Sequence, residues 1–142
     1  MSKEKGFDII DFYTVDSNLE KDGAKLYLQE DPEEKAFFVV RPYPNDDRTR
    51  LISKLYEDNQ SVFKKVKTGT PEEKIAAEIL DKQLTAEADA THILVGCGGM
   101  SEPYSKEFAK KCMLNTRIRD RVIRFAIDLN NFRGQEGDLK KK

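Results

Sequence analysis

The clearest hydrophobic pattern lies towards the C-terminal end, where Ile118, Val122, Phe125, Ala126, Leu129 and Phe132 recur at helical spacing. Arg117, Asp120, Arg121, Arg124 and Asp128 fall on the other side, so the spacing predicts an amphipathic helix running to Phe132 that needs a surface to pack on. Upstream, two strand-like runs, Ala24–Gln29 and Ala36–Arg41, flank the turn-rich Glu30–Lys35 with Pro32 inside it, which reads as a hairpin. Phe37, Phe38, Val39 and Val40 stand in succession in the second run, so both of its faces should find cover, from a helix on one side and a neighbouring chain on the other.

Between and around these runs the pattern is mostly helical. Asn45 or Asp46 caps a helix to about Asp58, with Leu51, Ile52, Leu55 and Tyr56 on one face. Thr70-Pro71-Glu72-Glu73 is the strongest local signal: threonine caps, proline takes the first helical position, and Glu73 reaches back to complete a capping box. The helix it starts runs through Ile75, Ile79, Leu80, Leu84 and Ala88 towards Ile93–Val95, with a break expected near Thr85–Asp89 and a stop at Gly96, Gly98 and Gly99. Ser105 caps a short helix carrying Phe108, Ala109, Cys112 and Met113, and Asn115 or Thr116 opens the last one.

Other stretches lack a clean period. Residues 1–22 scatter Phe7, Ile9, Ile10, Phe12, Tyr13 and Val15 among charges and read as a frayed arm, extended or forming a short strand. Asn59–Gly69 reads as a mobile connection whose Lys64, Lys65 and Lys67 face solvent, and 134–142 as a disordered charged tail. The prediction is one α+β domain over 23–133: an N-terminal β-hairpin packed against about four helices, with an all-helical C-terminal part.

Composition narrows the function classes. The chain has 142 residues, 36% charged and 38% hydrophobic, which suits a single small core under a heavily charged surface. A net charge of −1 and a pI near 5.9 lack the basic excess of a dedicated nucleic-acid binder. Two cysteines make no disulfide framework, no apolar run has the length of a membrane span, and the charged start does not resemble a signal peptide, which together point to a reducing cytoplasm.

Candidate chemistry is thin. Gly96-Cys97-Gly98-Gly99 exposes backbone amides as phosphate loops do, yet it lacks the Lys-Ser/Thr that follows in a nucleotide P-loop, and helix termination explains it better. His92 and Cys97 raise a thiol–imidazole nucleophile or a metal site, with Cys112 beyond, but no CxxC or HxxxH pair is present. Both cysteines fit better as small buried hydrophobes. Arg117, Arg121 and Arg124 share a helix face without flanking aromatics to stack bases, and Asp120 and Asp128 can pair with Arg124. No catalytic, cofactor or metal-ligating residue is assigned.

Three pieces carry a family likeness. His92-Ile93-Leu94-Val95-Gly96-Cys97-Gly98-Gly99-Met100, then Glu102-Pro103-Tyr104-Ser105-Lys106-Glu107, then a helix finishing in Asp128-Leu129-Asn130-Asn131-Phe132-Arg133, resemble the C-terminal half of the tail assembly chaperones of long-tailed bacteriophages. Phe38-Val39-Val40-Arg41-Pro42-Tyr43-Pro44-Asn45 and the helix to Leu55 are similar to that family's strand, asparagine and helix, so the likeness spans roughly 36–133. Cys97 stands where the family usually has tryptophan, which removes a large anchor from the turn.

The resemblance implies a non-catalytic chaperone of the host cytoplasm, absent from the mature virion, that binds and solubilises the tape measure protein and helps recruit tail tube protein. It further implies self-association, and a longer frameshifted form, with which Lys140-Lys141-Lys142 is compatible. Covering a coiled-coil-prone partner needs only an apolar strip that a helix can dock on, and the contact residues expected are Phe37 and Val39 on the strand and Tyr104, Phe108 and Met113 around the short helix. Those residues would serve equally well as core. The alternative function is a structural protein of the phage tail or head–tail connector.

Overall fold

A computed structural model of the chain describes residues 6–67 and 69–133. The fold is α+β, with an N-terminal hairpin and a helical C-terminal part. Strands β1 (Ala24–Tyr27) and β2 (Phe37–Val40) form the expected antiparallel hairpin. Its loop is tied by Asp31, whose carboxylate accepts from the backbone N–H groups of Glu33, Lys35 and Ala36. Helix α3 (Asp46–Asp58) starts at Asn45. Helix α5 (Pro71–His92) starts at the capping box read from the sequence, with Glu73 N donating to Thr70 Oγ1 at 3.2 Å and Thr70 N to Glu73 Oε1 at 3.0 Å. Ser105 caps α6 (Lys106–Leu114) and Asn115 caps α7 (Thr116–Ile127).

Several expectations are corrected. In its described part the arm forms two short helices instead of an extended segment or strand: Asp8 caps α1 (Ile9–Phe12) and Asp16 caps α2 (Ser17–Asp22), each through its own carboxylate. The connection after Asn59 is structured, as α4 (Gln60–Phe63) and a 3₁₀ turn at Lys64–Val66. Helix α5 has no break at Thr85–Asp89: Ala86, Ala88 and Ala90 are strong helix formers, and the Asp89 carboxylate is engaged by arginines instead of competing for its own backbone. Leu94–Gly98 does not continue α5 but forms a third strand, β3, antiparallel to β2 in the order β1-β2-β3. An apolar run of this length fits either a helix end or a buried strand, and only the partner strand decides. The last helix stops at Ile127, where Asp128 caps a separate 3₁₀ turn, Leu129–Phe132. The tail 134–142 lies outside the described residues.

The core joins one sheet face to α5, α6 and α7 through Phe38, Val40, Ala86, Ala90, Ile93, Leu94, Ala109, Cys112, Met113, Val122 and Ala126. Alanines at 86, 90 and 109 let α5 and α6 approach closely. Through this interface runs one buried charge. Asp89 is 0% exposed, and its two oxygens accept from Arg48 Nε on α3 and Arg119 Nε on α7, both at 2.9 Å. Asn45 works beside it: its amide donates to the carbonyls of Pro42 and His92, and its oxygen accepts from Arg48 N.

Removing one member of a buried ion network leaves the others desolvated and unpaired, at about 3–5 kcal/mol. Asp89→Ala should therefore lose about that much stability, a large part of a small domain's total, and an unchanged urea midpoint would refute the assignment. The three amides on Asp31 favour its ionised form and hold its pKa below the usual carboxylate range. That contribution is complete above the unfolded-state aspartate pKa and is lost as pH falls through the lowered folded value. In a carboxyl NMR titration, Asp31 should change below the ordinary aspartate range, with the Lys35 and Ala36 amides shifting alongside; a normal midpoint would contradict the loop geometry.

Candidate protein-docking surfaces

Alternation along the strands sorts the sheet into two faces. Leu26, Phe38, Val40 and Leu94 turn to the core, while Lys25, Tyr27, Phe37 and Val39 form the other face with Gly96 and Gly98 opposite Val39 and Phe37. The Phe37 ring lies where a side chain on Gly98 would be: an added Cβ would come within 2.4 Å of Phe37 Cζ, and one on Gly96 within 3.2 Å of Val39. The glycines of β3 are thus a seat for the β2 side chains, which is why they occur in a strand that lacks side chains of its own there. Tyr27 packs on Phe37 with ring centres 5.6 Å apart, and Lys25 Nζ sits 4.6 Å from the Phe37 ring centre. Phe37 and Val39 stay half-buried, and Tyr27 is exposed.

A second apolar surface is a groove of about 380 Å³ between the hairpin and α6–α7, floored by Leu28, Phe38, Met100, Phe108, Cys112 and Ile118. Arg117 and an ion pair between Arg121 and Glu30 rim it. Of the residues expected to touch a partner, Phe108 lines this groove and Phe37 and Val39 lie on the outer sheet face. Met113 does neither: at 1% exposure it belongs to the core, because α6 turns it towards α5 and α7. Tyr104 is partly exposed, but its hydroxyl donates to the carbonyl of Leu94 at 2.9 Å, with that of Ala90 at 3.3 Å, which makes it a tie between β3 and α5.

A third surface is a cleft of about 810 Å³ between the α3–α4 end and the first half of α5, lined by Tyr56, Phe63, Ala77 and charged neighbours. Tyr56 crosses its floor to Asp81 through a hydrogen bond, and the Phe63 ring meets Tyr56 edge-on at 5.3 Å.

The thiol–imidazole pairing has no support in the geometry. Nδ1 of His92 faces Arg41 Nη1 at 3.4 Å, and burial holds the His92 pKa below its usual value. Cys97 lies opposite Phe38 in the sheet and packs against the core, where burial pushes its thiol pKa up, away from the thiolate a nucleophile needs. Burial likewise raises the pKa of Cys112. Among the described residues no cluster of three or more His, Cys, Asp or Glu could hold a metal ion, and no helix is long and apolar enough to cross a membrane. No family model matches the chain, and no curated protein or solved structure matches it either.

Sequence periodicity alone does not place Tyr27, Leu28 or Met100 on these surfaces. Tyr27 was legible in principle, since Lys25 and Tyr27 alternate with Ala24 and Leu26 in a strand paired to Phe37. Leu28 and Met100 flank elements whose packing no local period reveals. The glycine seat gives a test: Gly98→Ala should displace the Phe37 ring and cost about 1–3 kcal/mol, as overpacking does. Combined with Phe37→Ala, it should add almost nothing further, whereas additive losses in denaturant melts would show that the two positions do not meet.

Proposed function

We propose that this protein is a non-catalytic tail assembly chaperone of a long-tailed bacteriophage, acting on the tape measure protein in the host cytoplasm. One observation carries the reading: the residues in which the resemblance resides are one another's structural partners. Arg41 N donates to Ile93 O, the Asn45 amide to His92 O, Tyr43 N to Ala126 O and the Tyr104 hydroxyl to Leu94 O. The Asn131 amide closes on Phe125 O, and Phe132 is buried against Phe125 with ring centres 5.8 Å apart. Stretches far apart in sequence that resemble one family thus meet in a single joint, and this mutual contact is what supports the reading.

With those residues occupied in the joint, partner contact falls to the apolar surfaces beside it. The groove at Phe108 suits a helix whose apolar side chains recur every third and fourth residue, with Arg117 at the rim meeting an acidic flank. Such binding needs no chemical step: covering the partner's apolar stripe is sufficient to keep it soluble. Recruitment of tail tube protein would then use a separate surface, such as the outer sheet face around Phe37.

Co-expression tests this reading. The protein should keep a helical tape measure segment soluble and co-purify with it, and Phe108→Asp should weaken that capture on the order of tenfold or more while leaving the circular dichroism spectrum unchanged. Capture that is unaffected by Phe108→Asp would remove the groove. Mass spectrometry that finds the protein in purified virions at structural copy number would replace the chaperone with a tail or connector component.

A further inference from the structure

The N-terminal arm has an unusual surface. Helix α1 buries no residue: Phe7 is 72% exposed, Ile10 76%, Tyr13 63%, Ile9 56% and Phe12 40%. Phe7 and Tyr13 pack on Phe12 at 5.4 and 5.0 Å between ring centres, so the group is a preformed apolar knob. A contiguous apolar patch of this kind marks an interaction site. The knob is held in place, with Arg133 stacked 4.0 Å over the Phe12 ring and Asp16 N donating to Phe132 O at 2.7 Å.

The α3–α5 cleft has the converse character, an open apolar hollow with Tyr56, Phe63 and Ala77 in its lining. Helices α3 and α5 run antiparallel, as Arg48 meets Asp89 and Tyr56 meets Asp81. Charges along the cleft are consequently ordered: Lys64 and Lys74 at the end nearest the start of α5, then Glu57, Glu78 and Asp81. The knob itself carries two carboxylates, Asp8 and Asp11. Laid in the cleft with Asp8 and Asp11 towards its lysine end, the knob brings these carboxylates to Lys64 and Lys74 and keeps them from Glu57, Glu78 and Asp81.

The arm and the cleft of one chain lie at opposite ends of α5. The arm's anchor is near His92, since Arg41 contacts both His92 and the Glu20 carbonyl. Asp81 is about 16 Å and Lys74 about 27 Å from His92 along the helix, at a rise of about 1.5 Å per residue. Only Thr14 and Val15 separate Tyr13 from the pinned Asp16, a tether of roughly 10 Å at full extension. From these observations we infer that the knob of residues 7–13 docks in the α3–α5 cleft of a second copy of this chain. Reciprocal docking gives a closed pair with two arm–cleft contacts, while head-to-tail docking would give open chains.

Sedimentation velocity on the full chain tests the proposal. The protein should self-associate, and Phe7→Glu/Ile10→Glu, at two exposed positions that the core does not use, should weaken association on the order of tenfold or more with an unchanged circular dichroism spectrum. Lys64→Glu/Lys74→Glu should weaken it as well, and adding Asp11→Lys to that pair should restore part of the loss. A chain that stays monomeric at high concentration, association indifferent to the Phe7/Ile10 variant, or a Lys64/Lys74 variant that Asp11→Lys fails to rescue would each overturn the proposal. Loss of tape measure capture by Phe108→Asp with self-association intact is expected, and it separates this contact from the groove.

Discussion

A buried carboxylate shared by two guanidinium groups is the constraint on which the helical part of this fold depends. Asp89 lies on the inner side of α5 with no solvent contact, Arg48 reaches it from α3 and Arg119 from α7. A desolvated charge is tolerable only when its partners are fixed, so the three helices share one geometry and cannot slide independently. The same place holds Asn45, which caps α3 and bonds the last carbonyl of α5, and Tyr43, whose ring lies under Arg48 at 4.9 Å. Non-directional packing of Ala86, Ala90, Ala109 and Val122 brings the helices together; the polar contacts at their edge set which way round they meet.

At the sheet the corresponding constraint is steric. β2 is the central strand and apolar at every position, so it needs cover on two sides. The core supplies one. On the other, β3 gives up its own side chains at Gly96 and Gly98, and Val39 and Phe37 spread into the space. This arrangement gives a physical reading of the glycine cluster: Gly96 and Gly98 make room for Val39 and Phe37 across the strand. It also explains why a neighbouring chain is not required to cover Val39, which already has Gly96 beneath it and the Gly23 turn beside it.

Apart from the outer sheet face around Phe37, these two constraints leave apolar surface in three places: the knob at α1, the cleft between α3 and α5, and the groove at Phe108. Single exposed apolar residues are ordinary on a protein surface, whereas grouped ones of this kind are the features on which the proposed contacts rest. The groove and the knob lie on different elements, so the two proposed contacts do not overlap.

The sequence by itself determined what depends on neighbours along the chain. Capping residues Asn45, Thr70, Ser105 and Asn115 marked four helix starts, and the strand-like runs 24–29 and 36–41 around a turn marked the hairpin, because caps, turns and strand-forming runs act over a few residues. The tertiary structure alone decided what depends on distant partners. Leu94–Gly98 became a strand because β2 offered an edge, and Asp89, a polar residue that suggested a helix break, became part of the core because two arginines, 41 residues before it and 30 after it, converge on it. Met113 and Phe108 carry similar apolar weight on one short helix, yet one is core and the other lines a groove. Burial is a property of what the fold brings alongside a residue, and no local period encodes it.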